Sequence, residues 1–186
     1  MLQSGSMEDH GEAVPLRPIP SDATSAEPHV RTAAPVVCVG ASSGGHLTEL
    51  LALLAHDDLW PAPPRHLITT TLPKPGSLGS WETVTAIGEC DRRTWFEWPR
   101  VLWRAWNAAH RSHPDVFVTT GSMPMLFVAA SVKLRGGKVI WIDSIARMER
   151  LSVSANVASY FVDLCLTQSP EVAETHPRAV YAGEVF

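Results

Sequence analysis

The sequence predicts an α/β domain of the Rossmann type: a mostly parallel β-sheet with helices on both faces. Three observations predict it. Short, continuous apolar runs recur along the chain, as in strands buried on both faces. Segments with leucine, alanine or tryptophan at helical spacing separate them. Several of the runs end in a Gly-, Ser- or Thr-rich loop. Strands alternating with helices imply βαβ units. Their crossovers are right-handed, and ligands gather where the strands end.

The elements follow in order. Val36-Val37-Cys38-Val39 reads as the first strand, and Leu47 to Ala55 as the helix behind it. His66 to Thr71 and Glu82 to Ile87 read as strands, and Pro99 to Arg111 as a helix. Val116 to Thr119 is a strand followed by a helix from Pro124 to about Leu134. Lys138 to Ile142 is a strand, and Val153 to Tyr160 a helix. Leu164 to Thr167 and Val180-Tyr181 are strands around a short helix, Pro170 to Glu174.

Ahead of these elements, residues 1–34 are rich in Ser, Pro, Glu, Asp and His. Such a segment cannot bury enough surface to offset its ordering entropy, so a disordered tail is expected there and a folded domain over 35–186. The 186 residues carry a net charge of -4, and no basic block offsets it, which argues against nucleic-acid binding. The best apolar run, Met123 to Val132, falls short of the ~18 residues of a spanning helix. Cys38, Cys90 and Cys165 show neither a CxxC pair nor zinc spacing, so no metal is expected. A reducing compartment suits them.

Three loops carry chemistry. In Ala41-Ser42-Ser43-Gly44-Gly45-His46, the glycine pair lets an anion approach backbone N–H groups at a helix N-terminus. The loop has neither GxGxxG spacing nor a Walker lysine. Close strand–helix packing would also use such a turn. His46 has the pKa to donate to a diphosphate or to accept a proton from a sugar hydroxyl, and it can equally cap the helix. Glu49 either orients His46 or complements the helix dipole. In Thr119-Thr120-Gly121-Ser122-Met123-Pro124, Gly121 permits close backbone approach, with Ser122 a plausible cap and Pro124 a helix start. In Asp143-Ser144-Ile145-Ala146-Arg147, a carboxylate, a hydroxyl and a guanidinium cluster at a strand end. Arg147 suits phosphate, and Asp143 suits a base, unless the two form a local ion pair.

Four tryptophans lie between Trp95 and Trp106 with arginines interleaved. Leu102, Ala105, Trp106 and Ala109 share one predicted helix face, and Arg100, Arg104, Asn107 and Arg111 another. Such a helix favours a membrane headgroup boundary, with Trp95, Trp98, Trp103, Arg100 and Arg104 as contacts; simple packing on the sheet is the alternative.

These loops, in this order, resemble the asparagine-linked glycosylation protein 14 family, its bacterial PssD-like counterparts and, more distantly, the N-terminal half of MurG. The resemblance runs from about Val36 to Phe186. It rests on Ser43-Gly44-Gly45-His46 with Glu49, on Thr120-Gly121 with Pro124, on Ile142-Asp143-Ser144 with Ala146-Arg147, and on the ending Tyr181 to Phe186. It implies one half of a GT-B glycosyltransferase, with a separate donor-binding subunit holding the UDP-sugar. Ser43, Gly44, Gly45, Glu49, Gly121, Ser144 and Arg147 would then bind a polyprenyl-diphosphate-linked saccharide. The resemblance further implies inverting, metal-independent transfer without a cofactor, His46 being the first choice of base and Asp143 the second. It places the chain peripherally on the cytoplasmic membrane face. Eukaryotic relatives typically begin with a hydrophobic anchor, whereas this chain begins with a polar segment, which gives the Trp/Arg helix more weight. Two alternatives remain: a scaffold recruiting the donor-binding subunit, and a free-standing nicotinamide-dependent Rossmann enzyme.

Overall fold

The computed structural model describes residues 34–56, 60, 62–74, 81–144 and 149–183. The expected tail therefore lies almost wholly outside the described residues. The strands are β1 (Val37–Ala41), β2 (His66–Thr69), β3 (Thr83–Ala86), β4 (Val116–Thr119), β5 (Lys138–Ile142), β6 (Leu164–Thr167) and β7 (Val180–Tyr181). The helices are α1 (Gly45–Leu54), α2 (Trp98–Ser112), α3 (Met123–Leu134), α4 (Val153–Ala158) and α5 (Pro170–Thr175). A 3-10 turn, Trp95–Glu97, leads into α2.

All seven strands join one parallel sheet in the order β3-β2-β1-β4-β5-β6-β7. The order reverses between β1 and β4, whose registers pair Val39 with Val118 and Gly40 with Thr119. Right-handed crossovers explain the layers. Stepping from β1 to β2 puts α1 on one face; stepping the other way, from β4 to β7, puts α3, α4 and α5 on the opposite face.

The two cores bear this out. On one face Leu50 of α1 packs with Val37, Val39, Ala41, Leu67, Val118 and Ile142. On the other, α2 to α5 close over Cys38, Ile68, Phe117, Val139, Trp141 and Cys165. Trp141 and Phe117 are fully buried, so their ~150–250 Å² each form the centre of this larger core.

The expected face of α2 holds at Ala105 and Ala109 and is corrected at Leu102 and Trp106. Val101, Ala105, Ala108 and Ala109 face inward, while Leu102 and Trp106 are 47% and 42% exposed. The alanines let α2 lie close to α3 and the sheet, and the bulky residues one position along are turned outward. Helix α1 also begins earlier than the leucine spacing implies, so His46 sits in its first turn.

Asp163, before β6, binds the start of β5 to the end of α3. Its Oδ2 accepts from Lys133 Nζ at 2.8 Å and Val139 N–H at 2.8 Å, and its Oδ1 accepts from Lys138 Nζ at 3.0 Å. Partial burial pushes its carboxyl up, but these donors outweigh burial and bring it down to about 2. A carboxyl lowered by folding stabilises above its unfolded value and loses that contribution as pH falls through the folded one. Solvent screening holds the contribution to on the order of 1 kcal/mol. Urea midpoints measured from about pH 4 down to about pH 2 are expected to fall in the wild type and less steeply in Asp163→Asn.

Candidate functional site

Strands β2, β4 and β6 end in threonine. Thr69, Thr70, Thr119, Thr120 and Thr167 are all buried. Thr120 Oγ1 donates to the His46 carbonyl at 2.7 Å, which ties the first turn of α1 to the end of β4. The two chemically interesting turns are thereby held side by side across the reversal point.

The first turn depends on Gly44, whose φ of 92° is unfavourable for any residue with a Cβ. Gly44 occupies the N-cap position of α1 and supplies no side-chain cap. A Cβ placed on Gly44 or Gly45 would meet nothing within 4 Å, so the turn is open to approach. The first N–H groups of a helix have no intrahelical acceptor. Here no capping side chain takes them.

Ser43 is oriented differently from the expectation that it faces phosphate. Its N–H donates to Thr70 Oγ1 at 3.0 Å, and its hydroxyl donates to Glu89 Oε1 at 2.9 Å. Both of its donors are thus used within the protein. Glu89 is exposed and stands beside the glycine turn. Sequence reading missed this residue, because only tertiary structure brings it within reach of Ser43.

The second turn is strained. Gly121 has a φ of 100°, and a Cβ there would lie 3.3 Å from Trp141 Cζ2. Ser122, with φ 107° and ψ 162°, adopts a backbone region almost reserved for glycine, which costs about 1–3 kcal/mol. It occupies the N-cap position of α3, yet its side chain does not cap, contrary to expectation. Its buried hydroxyl has no hydrogen-bond partner. Helices α4 and α5 differ: Ser152 accepts from Ala155 N–H, and Ser169 from Val172 N–H.

Among the described residues, three buried side-chain polar atoms lack a partner: His46 Nδ1, Ser122 Oγ and Trp141 Nε1. They belong to the turns after β1 and β4 and to β5, beneath Gly121. Leaving such a group unsatisfied costs ~1–3 kcal/mol, so its concentration at one place needs an explanation.

The third loop supports structure. Asp143 is only 4% exposed; its Oδ2 accepts from Ser152 N–H at 2.9 Å and its Oδ1 from Ser152 Oγ at 2.7 Å. Gln168 Nε2 donates to the Asp143 carbonyl at 3.1 Å and also to Glu49 Oε1. Glu49, 2% exposed, therefore points into the protein, and His46 Nδ1 accepts no orientation from it. Ser144 is half-buried at the end of β5. Arg147 lies outside the described residues.

Burial raises all three cysteine thiols. Burial pushes the Cys38 thiol up to about 12 despite a hydrogen bond with Ser112, and burial with the Asp143 charge does the same to Cys165. Burial, then the charges of Glu89 and Asp91, raise Cys90 to about 11. No group of three or more His, Cys, Asp or Glu able to hold a metal occurs among the described residues.

Of the expected membrane contacts, Trp95 and Trp103 are 71% and 66% exposed, and Phe96 and Leu102 join them on the surface. Trp98 does not belong to that surface: its Nε1 donates to the Asp91 carbonyl at 2.8 Å, and its ring meets Phe127 edge-on at 5.8 Å. Arg100 is exposed and lies 3.8 Å from Glu97. Arg104 lines a groove beside Trp103 and Asn107.

Residues 86–185, more than half of the chain, match the family described as oligosaccharide biosynthesis protein Alg14 like. The chain belongs to that family. It is 25% identical over 177 residues to the human UDP-N-acetylglucosamine transferase subunit ALG14, covering 80% of this chain and 82% of the human one. The corresponding subunit of Yarrowia lipolytica is 34% identical over 80 residues, covering 40% of this chain and 37% of its own. Among solved structures, Acinetobacter baumannii MurG superposes with a TM-score of 0.55 at 12% identity, covering 74% of this chain and 42% of MurG. UDP-GlcNAc 2-epimerase of Methanocaldococcus jannaschii, in complex with UDP-GlcNAc and UDP, gives 0.61 at 11% identity, covering 80% and 46%. The chain thus spans less than half the length of these two structures, and its fold is that of one half of a GT-B-type molecule.

Ser152→Ala removes a donor from the buried Asp143 carboxylate and the cap of α4 together. The expected cost is about 1–3 kcal/mol in urea unfolding, and Asp143→Ala should be at least as destabilising.

Proposed function

We propose that this chain is the acceptor-binding, membrane-associating subunit of a two-component inverting glycosyltransferase. A second, donor-binding subunit holds the UDP-sugar, and the acceptor is a polyprenyl-diphosphate-linked saccharide. The observation that carries this reading is the pair of helix N-termini, α1 and α3, that meet without side-chain caps at the reversal point of the sheet. Two helix starts without side-chain caps and two positive dipole ends beside adjacent strands make an environment for a diphosphate. The relatives named as transferase subunits, and the match to under half of longer chains, support the division between two polypeptides.

In this reading the Gly44-Gly45 turn and Gly121 receive the acceptor diphosphate. His46, in the first turn of α1, accepts the proton of the attacking hydroxyl as UDP leaves the anomeric carbon. Among the carboxylates of the site, Glu89 is exposed beside the glycine turn, whereas Asp143 and Glu49 are buried in structural bonds. That burial is also what favours the second reading, a scaffold that recruits the donor-binding subunit and leaves the chemistry to it.

The purified chain alone is expected to show no transfer to a polyprenyl-diphosphate saccharide, and activity should appear when the donor-binding subunit is added. In that complex His46→Ala should lower kcat by about 10²–10⁴-fold. Full activity of a His46→Ala, Glu89→Gln complex would select the scaffold.

The outward aromatic surface of α2, framed by Arg100 and Arg104, is the proposed contact with the cytoplasmic membrane face. Co-sedimentation with anionic vesicles should fall severalfold in Trp95→Ala, Trp103→Ala. Trp98→Phe, altering a ring packed on Phe127, should leave it unchanged.

A further inference from the structure

At the β3 edge of the sheet, a polar groove runs between the strand and α2. Thr83 and Thr85, in register with His66 and Ile68, line the strand wall. The groove consists of two adjoining hollows of about 260 and 280 Å³, which share Thr85, Ala108 and Arg111. The first hollow adds Trp103, Arg104 and Asn107 from α2. The second reaches His66, whose Nδ1 lies 2.8 Å from the Thr83 hydroxyl.

Arg104, Asn107 and Arg111 follow one another at helical spacing, which sets all three on one side of α2. Arg104 is half-buried, and its Nη1 lies 3.6 Å from where a Cβ on Gly88 would stand, just past the end of β3. Neither Arg104 nor Arg111 has a carboxylate partner among the described residues. The acidic side chains flanking β3 are engaged elsewhere, Glu82 with Arg65 at 3.6 Å and Glu89 with the Ser43 hydroxyl at 2.9 Å. Two unpaired guanidiniums in one groove, beside an amide and a hydroxyl, on a chain of net charge -4, mark a place for an anion. The planar fork of arginine matches the oxygens of phosphate.

We propose that this groove binds the phosphate of an anionic phospholipid headgroup, held by the guanidiniums of Arg104 and Arg111. The inference rests on the membrane contact proposed above for α2 and adds to it a site that recognises the headgroup. Trp103 favours a lipid over a soluble phosphate. It lines the groove and is 66% exposed, and an indole settles at headgroup level, where lipid phosphates are the concentrated anion. A terminal phosphate presents more free oxygens to two guanidiniums, an amide and a hydroxyl than a phosphodiester does, so a phosphomonoester headgroup is the preferred ligand. Strand β2 stands between this groove and the glycine turn after β1, so the site is additional to the diphosphate environment described above.

The test is co-sedimentation of the full chain with phosphatidylcholine vesicles containing either phosphatidic acid or phosphatidylserine, matched in surface potential. The wild type is expected to bind the phosphatidic acid vesicles about fivefold more tightly or better. Arg104→Gln, Arg111→Gln should abolish that preference, and Arg104→Lys, Arg111→Lys, which keeps both charges and loses both forks, should weaken it. Arg65→Gln removes a cation that pairs with Glu82 outside the groove and should retain the preference. Melting temperatures establish that each variant folds, and the lysine pair carries the test where the glutamine pair does not. A wild type that binds both vesicles equally, or a preference that survives in the folded double variants, overturns the groove and leaves the α2 contact standing. A wild type that sediments with neither vesicle removes the membrane contact and the groove together. Saturable binding of soluble glycerol 3-phosphate or of an acidic peptide, with no preference between vesicles, rejects the lipid source.

Discussion

The rest of the molecule depends on one constraint: the strand order reverses between β1 and β4, and the fixed hand of parallel crossovers turns that reversal into helices on opposite faces. From β1 the chain steps outward to β2 and β3, then α2 carries it back to β4, and it steps the other way to β7. The connections leaving β1 and β4 must therefore part to opposite faces. A gap opens above two adjacent strands, with a helix beginning on either side. The Thr120 hydroxyl bridging to the His46 carbonyl fixes the width of that gap, since it bonds one wall to the other.

Around this gap the satisfaction of polar groups changes character. Below and beside it, buried polar atoms are paired: Asp143 with Ser152, Gln168 with both Glu49 and the Asp143 carbonyl. These bonds join α1, β5, α4 and the end of β6 without requiring a ligand. At the gap itself, Ser122 takes up a costly backbone conformation and still leaves its hydroxyl unused, and Trp141 keeps an indole N–H unpaired under Gly121. A fold that caps α4 and α5 with serines but not α1 and α3 has its unspent donors where the geometry would present them to an anion.

The strands were legible in the sequence because burial on both faces writes them as unbroken Val/Ile/Leu runs; β4, β5 and β6 fall on the residues those runs mark. The glycine turns were legible for a similar local reason. The side chains that act through long-range contacts were not. Asp143 reads as a polar tip on an apolar strand, and only the fold turns it toward Ser152. Glu49 and Gln168 are 119 positions apart, so their bond has no local signature. In α2 the face was right at Ala105 and Ala109 and wrong at Leu102 and Trp106, because alanine, leucine and tryptophan all count as apolar, while close helix packing selects among them by size. A usable signal was available in the threonines that end β2, β4 and β6, which mark the buried polar layer under the crevice.

The chain keeps two apolar surfaces outside its own cores, and their chemistry differs. On α2 and the 3-10 turn before it the exposed residues are indoles, a phenyl ring and a leucine with arginines beside them, a mixture that tolerates partial hydration and anionic phosphate. On the sheet face they are branched aliphatic chains with no polar group to meet water, a surface whose free energy falls only when another apolar surface excludes solvent. Both follow from the same topology. With α2 crossing from β3 back to β4, its outer side is left free along one edge, and with α3 to α5 committed to the far face, β4 to β6 are left open on the near one. A domain folded this way carries one mixed aromatic surface and one purely aliphatic one. The uncapped turns lie at the strand ends, apart from both surfaces.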